Sequence, residues 1–98
     1  MPRAIYRRER ELVNDLAVCT AHAKNGDEIG LSPRRRAIVR ALNQQATARQ
    51  RQCLYLYYCR GLNQEAIAKL LQINVSTVSR NIANGERHVV SALALLEI

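Results

Sequence analysis

Tryptophan and phenylalanine are absent from this 98-residue chain, and its only aromatic residues are four tyrosines. Proline occurs twice and glycine four times. So few aromatics and turn formers argue against a sheet domain. Alanine, leucine, isoleucine and valine carry the apolar content instead, which favours helices around an aliphatic core. No apolar run approaches the roughly 18 residues of a membrane span. The opening MPRAIYRRERE also lacks the apolar segment of a signal peptide. A cytoplasmic chain with no membrane association is therefore expected.

Cysteine is sparse and odd in number: Cys19, Cys53 and Cys59, with no C-x-x-C pair. Neither a disulfide framework nor a zinc knuckle is indicated, and reduced core cysteines are the simpler expectation. A metal site from Cys53, Cys59 and His88 would lack a recognised ligand spacing. His22 and His88 have no nearby Ser, Cys or Asp in an activating pattern. No glycine-rich phosphate loop or paired carboxylate motif appears. No catalytic residue, cofactor or metal is expected, and hence no enzyme.

Acidic residues are also missing from one long interval. Between Glu28 and Glu65 there are none, while Arg34, Arg35, Arg36, Arg40, Arg49, Arg51 and Arg60 all fall there. The remaining eight basic residues balance the eight acidic ones, so these arginines account for the net charge of +7. Such a block suggests a polyanionic partner, most commonly nucleic acid. A solvated basic face with no partner is the alternative.

The length suits one domain with a single modest core. The pattern predicts an all-α fold of about five helices. A first helix over about Ala4 to His22 places Ile5, Leu12, Leu16 and Cys19 on one face. Asn25-Gly26 and Gly30 then break it. Residues 1–30 read as an appended helical arm, and residues 31–98 as the main domain. Ser32-Pro33 is a helix start, with serine as the cap and proline in the first turn. In the second helix Ala37, Ile38, Ala41 and Leu42 point inward and most arginines outward, before a break at Asn43 to Ala46. Thr47-Ala48-Arg49-Gln50 fits a capping box. The third helix that it opens presents Leu54, Tyr57 and Tyr58, and stops near Arg60 at Gly61.

Asn63 can cap a fourth helix in which Ile67, Leu70 and Leu71 face inward. Gln72 and Ile73 form a tight turn, and Asn74 caps a fifth helix starting near Val75. That helix either continues through Asn84-Gly85 or breaks there. Two short helices joined by so brief a turn are a helix-turn-helix. Ala68 allows close approach, and Val78 is the buried anchor of the second helix. Ile67, Leu71, Ile73, Val75 and Ile82 complete the apolar set. Ser76, Arg80, Ala83 and Arg87 then face away, with Thr77 and Ser79 on the flanks. This outer face is short, polar and free of acidic residues until Glu86. It suits entry into a major groove, with double-stranded DNA as the partner. An ordinary amphipathic hairpin with a solvated face is the plainer alternative.

The stretch ARQRQCLYLYYCRGLNQEAIAKLLQINVSTVSRNIANGERHVVSAL resembles the fourth conserved region of bacterial sigma factors, and related response-regulator helix-turn-helix domains. The resemblance spans about residues 47–93. It rests on Arg49 and Arg51, Leu54-Leu56-Tyr58, Gly61-Leu62, Glu65-Ile67-Ala68-Leu71 and Ser76-Thr77-Val78-Ser79-Arg80. It implies a DNA-binding transcriptional regulator of bacterial or phage type, with a recognition helix over about residues 75–84. Arg80 would meet guanine, and Ser76, Thr77 and Ser79 would meet bases or nearby phosphates. Asn63 and Gln64 would meet backbone phosphate, and Arg87 extends the same face.

The resemblance also implies RNA polymerase as a partner, so a polymerase adaptor with weak DNA affinity is the alternative function. The apolar segment Val89, Val90, Leu93, Leu95, Leu96 and Ile98 suits burial in the core or against a second copy in a homodimer. The DNA-binding part of a mobile-element protein is a third possibility. Family members usually carry glycine in the turn, and Gln72 there predicts a slightly altered turn. Residues 1–46 match no part of the family pattern. Ninety-eight residues are too few to add a promoter-melting region, so something smaller than a complete sigma factor is expected.

Overall fold

Helix boundaries follow from local chemistry at nearly every junction. The structure, a computed structural model, describes residues 9–96. Within them lie α1 (Glu9–Asn25), α2 (Pro33–Gln44), α3 (Ala48–Leu54), α4 (Gln64–Leu71) and α5 (Val75–Leu96), and no strand. The expected start near Ala4, the inward Ile5 and the terminal Ile98 lie outside the described residues.

Helix α1 runs three residues past the expected His22 and stops at Gly26, which has a φ of 74°. Ser32 caps α2 by accepting from the Arg35 amide, with Pro33 in the first turn. Thr47 and Gln50 close the capping box of α3 reciprocally. Asn63 caps α4 through its side chain, which accepts from the Ala66 amide. Each such cap satisfies an otherwise orphaned N–H and contributes about 1 kcal/mol. The break after α2 begins later than the sequence suggests. Asn43 and Gln44 remain helical, because the Gln45 and Ala46 amides still find the Ala41 carbonyl.

Helix α3 does not simply continue to Gly61. Residues Tyr55–Cys59 form a π-helical turn, and the Arg60 amide reaches back to the Tyr55 carbonyl at 3.1 Å. Such a widened turn redistributes side chains around the axis. Here it sends Tyr55 towards α1, where Lys24 Nζ lies 4.9 Å from the ring centroid. Tyr58 goes towards α5, where its hydroxyl donates to the Glu86 carboxylate. Tyr57 and Tyr58 meet edge to face with centroids 5.0 Å apart.

The core is aliphatic, as the composition requires. Leu16 and Cys19 of α1, Ile38, Val39 and Leu42 of α2, and Leu54 of α3 are essentially inaccessible. So are Ile67 of α4, and Val78 and Val89 of α5. Helix α5 packs against α2, α3 and α4 in turn, while α1 lies over α2 and the π-helical turn. Two residues expected inside are not: Leu70 is 60% exposed and Val75 43% exposed. Leu71, adjacent to Leu70, takes the inward position on α4.

The arginines of α2 do not point freely outward. Asp15 of α1 is buried, and its carboxylate accepts from Arg34 Nε and Arg35 Nε at 2.9 Å each. That bond raises the Arg35 pKa, with burial acting the other way. Arg36 donates to the Leu31 carbonyl, and Arg40 forms a two-bond pair with Glu28 at 3.1 Å. Only Arg40 of the four is well exposed. The interval lacks acidic residues in sequence, but the fold brings carboxylates to it from both sides.

Helix α5 passes through Gly85 without a break. Gly85 is buried, and a Cβ built there would lie 2.6 Å from Leu54 Cδ1 and 3.1 Å from Leu54 Cγ. Leu54 is itself fully enclosed, so a shift of its side chain must displace core neighbours. Alanine ordinarily gains about 1 kcal/mol over glycine inside a helix. Overpacking here should cost about 1–3 kcal/mol and outweigh that gain. Urea unfolding of Gly85→Ala is expected to show a net loss of about 1 kcal/mol. A more stable variant would show that Leu54 yields freely.

Candidate nucleic-acid interface

The turn between α4 and α5 consists of Gln72, Ile73 and Asn74. Gln72 adopts the left-handed conformation, with φ 58° and ψ 46°, and is the only non-glycine residue with positive φ among those described. The Gln72 amide and the Ile73 amide both reach the Ala68 carbonyl, the latter at 3.0 Å. This is the bonding of a left-handed helix cap. The turn is thus not altered to accommodate glutamine; glutamine takes up the strained conformation instead, at about 1 kcal/mol. The Asn74 carbonyl then opens α5, accepting from Thr77 and Val78 at 3.0 and 3.1 Å.

Val78 and Ile82 turn α5's inner face to the core, and Ala68, 6% exposed, lets α4 approach it. With that face fixed, the outer one follows from helical geometry. Ser76, Ser79 and Arg80 are exposed at i, i+3 and i+4, forming one patch. Arg87 is exposed two turns further, about 10 Å along the axis, and donates to Asn84 Oδ1 at 2.8 Å. Thr77 sits half-buried at the side, and its carbonyl accepts from Asn81 Nδ2. Asn63 and Gln64 stand at the opposite end of α4 from the turn, a helix length of about 12 Å away. The Asn63 side-chain oxygen is engaged in the cap, and the residue is exposed; Gln64 is half-buried.

Two apolar residues expected inside are exposed, Leu70 on α4 and Val75 at the start of α5. Their helical periodicity resembled that of the core, and only the packing of α4 on α5 shows that they fall outside it. Glu86, the first carboxylate along α5, is held by the Tyr58 hydroxyl. A second basic feature is a cleft between α1 and α3 lined by Lys24, Arg49 and Arg51. Arg51 is partly spent there, donating to the Leu42 and Ala46 carbonyls at 3.1 and 2.8 Å.

The cysteines are scattered. Cys19 and Cys53 are buried and Cys59 is exposed. Burial, with the nearby Asp15 carboxylate, pushes the Cys19 thiol up to about 12. Burial also raises Cys53. Both are packed, unreactive thiols. No group of three or more His, Cys, Asp or Glu side chains among the described residues is placed to hold a metal ion. No helix among them is long and apolar enough to cross a membrane.

A capped helix, a left-handed three-residue turn and a second helix with a buried anchor and a polar outer face define a helix-turn-helix. Residues 44–89, just under half of the chain, match the family model of sigma-70, region 4. They form a sigma-70 region 4-like helix-turn-helix segment, a DNA-binding class of structure. No curated protein and no solved structure matches the chain.

The strained turn can be tested. Glycine at position 72 would remove the left-handed penalty while adding freedom to the unfolded chain. Gln72→Gly is expected to raise stability by up to about 0.5 kcal/mol in urea unfolding. A loss would show that the Gln72 side chain makes contacts worth more than the strain.

Proposed function

We propose that this protein is a sequence-specific DNA-binding transcriptional regulator of bacterial or phage type, with residues 75–84 as the recognition helix in the major groove. The observation that carries this reading is the exposed patch of Ser76, Ser79 and Arg80 on a helix anchored by Val78. Arginine offers a bidentate donor pair to guanine O6 and N7, and serine can donate or accept at base edges or phosphate. Asn63 and Gln64 at the start of α4, Thr77 at the flank and Arg87 further along α5 take positioning contacts to the backbone. Arg34, Arg35 and Arg40 are bonded to carboxylates. Phosphate contacts by those three would therefore need to compete with internal ion pairs.

A second reading, an adaptor that binds RNA polymerase and has weak DNA affinity of its own, draws support from exposed apolar residues. Leu70, Leu95 and Leu96 are each more than half exposed. The last two also offer a surface for a homodimer, since Val89 and Leu93 of the same segment face the core.

A titration of labelled duplex across a salt series separates the two readings. A DNA-binding regulator should show log affinity falling with log salt by about 0.9 for each phosphate contact. On a duplex selected from a random pool, Arg80→Ala should lose about 1–3 kcal/mol and relax preference at one base pair. Equal losses on selected and random duplex would reduce Arg80 to a phosphate contact. Folded protein that binds no duplex at low salt would overturn the regulator and leave the adaptor.

A further inference from the structure

We infer that Val75 is a specificity-determining residue that reads the C5-methyl group of a thymine. This inference rests on the DNA-binding function proposed above. Val75 is the first residue of α5 and is 43% exposed. Its periodicity would place it with Val78 and Ile82, which are 0% and 4% exposed. It lies instead at the rim of that stripe, about 40° around the axis from exposed Ser79, one turn ahead of it. Ser76 and Arg80 form the adjoining row. The apolar side chain therefore stands at the entry end of the polar patch, the end of a recognition helix that reaches base edges first.

What such a side chain can recognise is set by its chemistry. It has no donor or acceptor, so it gains nothing from guanine, cytosine or adenine edges. The one apolar group displayed in the major groove is the thymine methyl. A β-branched side chain also has few rotamers, so it holds its methyl groups in place at little entropic cost. Ser76, Ser79 and Arg80 supply the hydrogen-bonding part of the readout, and Val75 adds discrimination that hydrogen bonds cannot provide.

The test removes the methyl group rather than the side chain. A duplex is selected from a random pool by the wild-type protein, and each thymine is replaced singly by deoxyuridine. One position is expected to lose about fourfold in affinity, the value of one buried methyl-sized group. Val75→Ala, at a partly exposed helix start, should bind the thymine and deoxyuridine duplexes equally. A selected site in which every thymine tolerates deoxyuridine overturns the inference, as does a site with no required thymine. A methyl effect that persists in Val75→Ala assigns the contact to another residue and also overturns it. In those three outcomes duplex binding still stands. Absence of any selected duplex would instead remove the DNA-binding function itself.

Discussion

Helix α5 has two jobs along one rod, and the contact between Gly85 and Leu54 makes them compatible. One side of the helix carries the exposed patch of Ser76, Ser79 and Arg80, and the other buries Val78, Ile82, Gly85 and Val89. A helix that broke at Asn84-Gly85 would separate Val78 and Ile82 from Val89, the last buried residue of the same stripe. Continuity costs about 1 kcal/mol of helix propensity at glycine. In exchange, Leu54 sits against bare backbone at a distance no side chain there would allow. The angle of α5 relative to α3 is thereby fixed by packing, and the short α4 only has to brace its inner face through Ala68 and Val78.

Electrostatics organises the other side of the molecule. Asp15, with Glu11 beside Arg34, joins α1 to two arginines of α2, which ties residues before Gly26 into the same core as the helix-turn-helix. A buried carboxylate needs such partners, and two guanidinium groups satisfy it. The consequence is that much of the arginine block serves the fold. The outer face of α5 keeps Arg80 and Arg87, and the cleft beside α3 keeps Lys24 and Arg49. Net charge still favours approach to a polyanion, since internal pairing redistributes charge without removing the excess of +7.

Local signals were legible in the sequence. Ser32, Thr47 with Gln50, and Asn63 announced their helices by side chains that can reach a backbone amide, and Gly61 marked a stop. Spacing alone also placed Ala68 and Val78 in the core, because anchor and contact are one short turn apart. What stayed hidden depends on distant partners. Gly85 looks like a breaker until Leu54 is seen beside it. The π-helical turn has no sequence signature among YLYYC, and its tyrosines find their partners on α1 and α5. The Asp15 pairs join residues 19 and 20 positions apart. Leu70 and Val75 repeat at helical spacing but fall just beyond the buried stripe, a distinction of some tens of degrees that periodicity does not resolve.

The central claim is that the Ser76, Ser79 and Arg80 face of α5 is the surface that meets DNA. It is tested most directly by following backbone amide resonances of the protein during titration with a selected duplex. The largest shifts should fall on residues 75–80, with a second group at Asn63 and Gln64 where α4 begins. Shifts concentrated on the exposed end of α5 near Leu95, or on α2, with residues 75–80 unmoved, would contradict it.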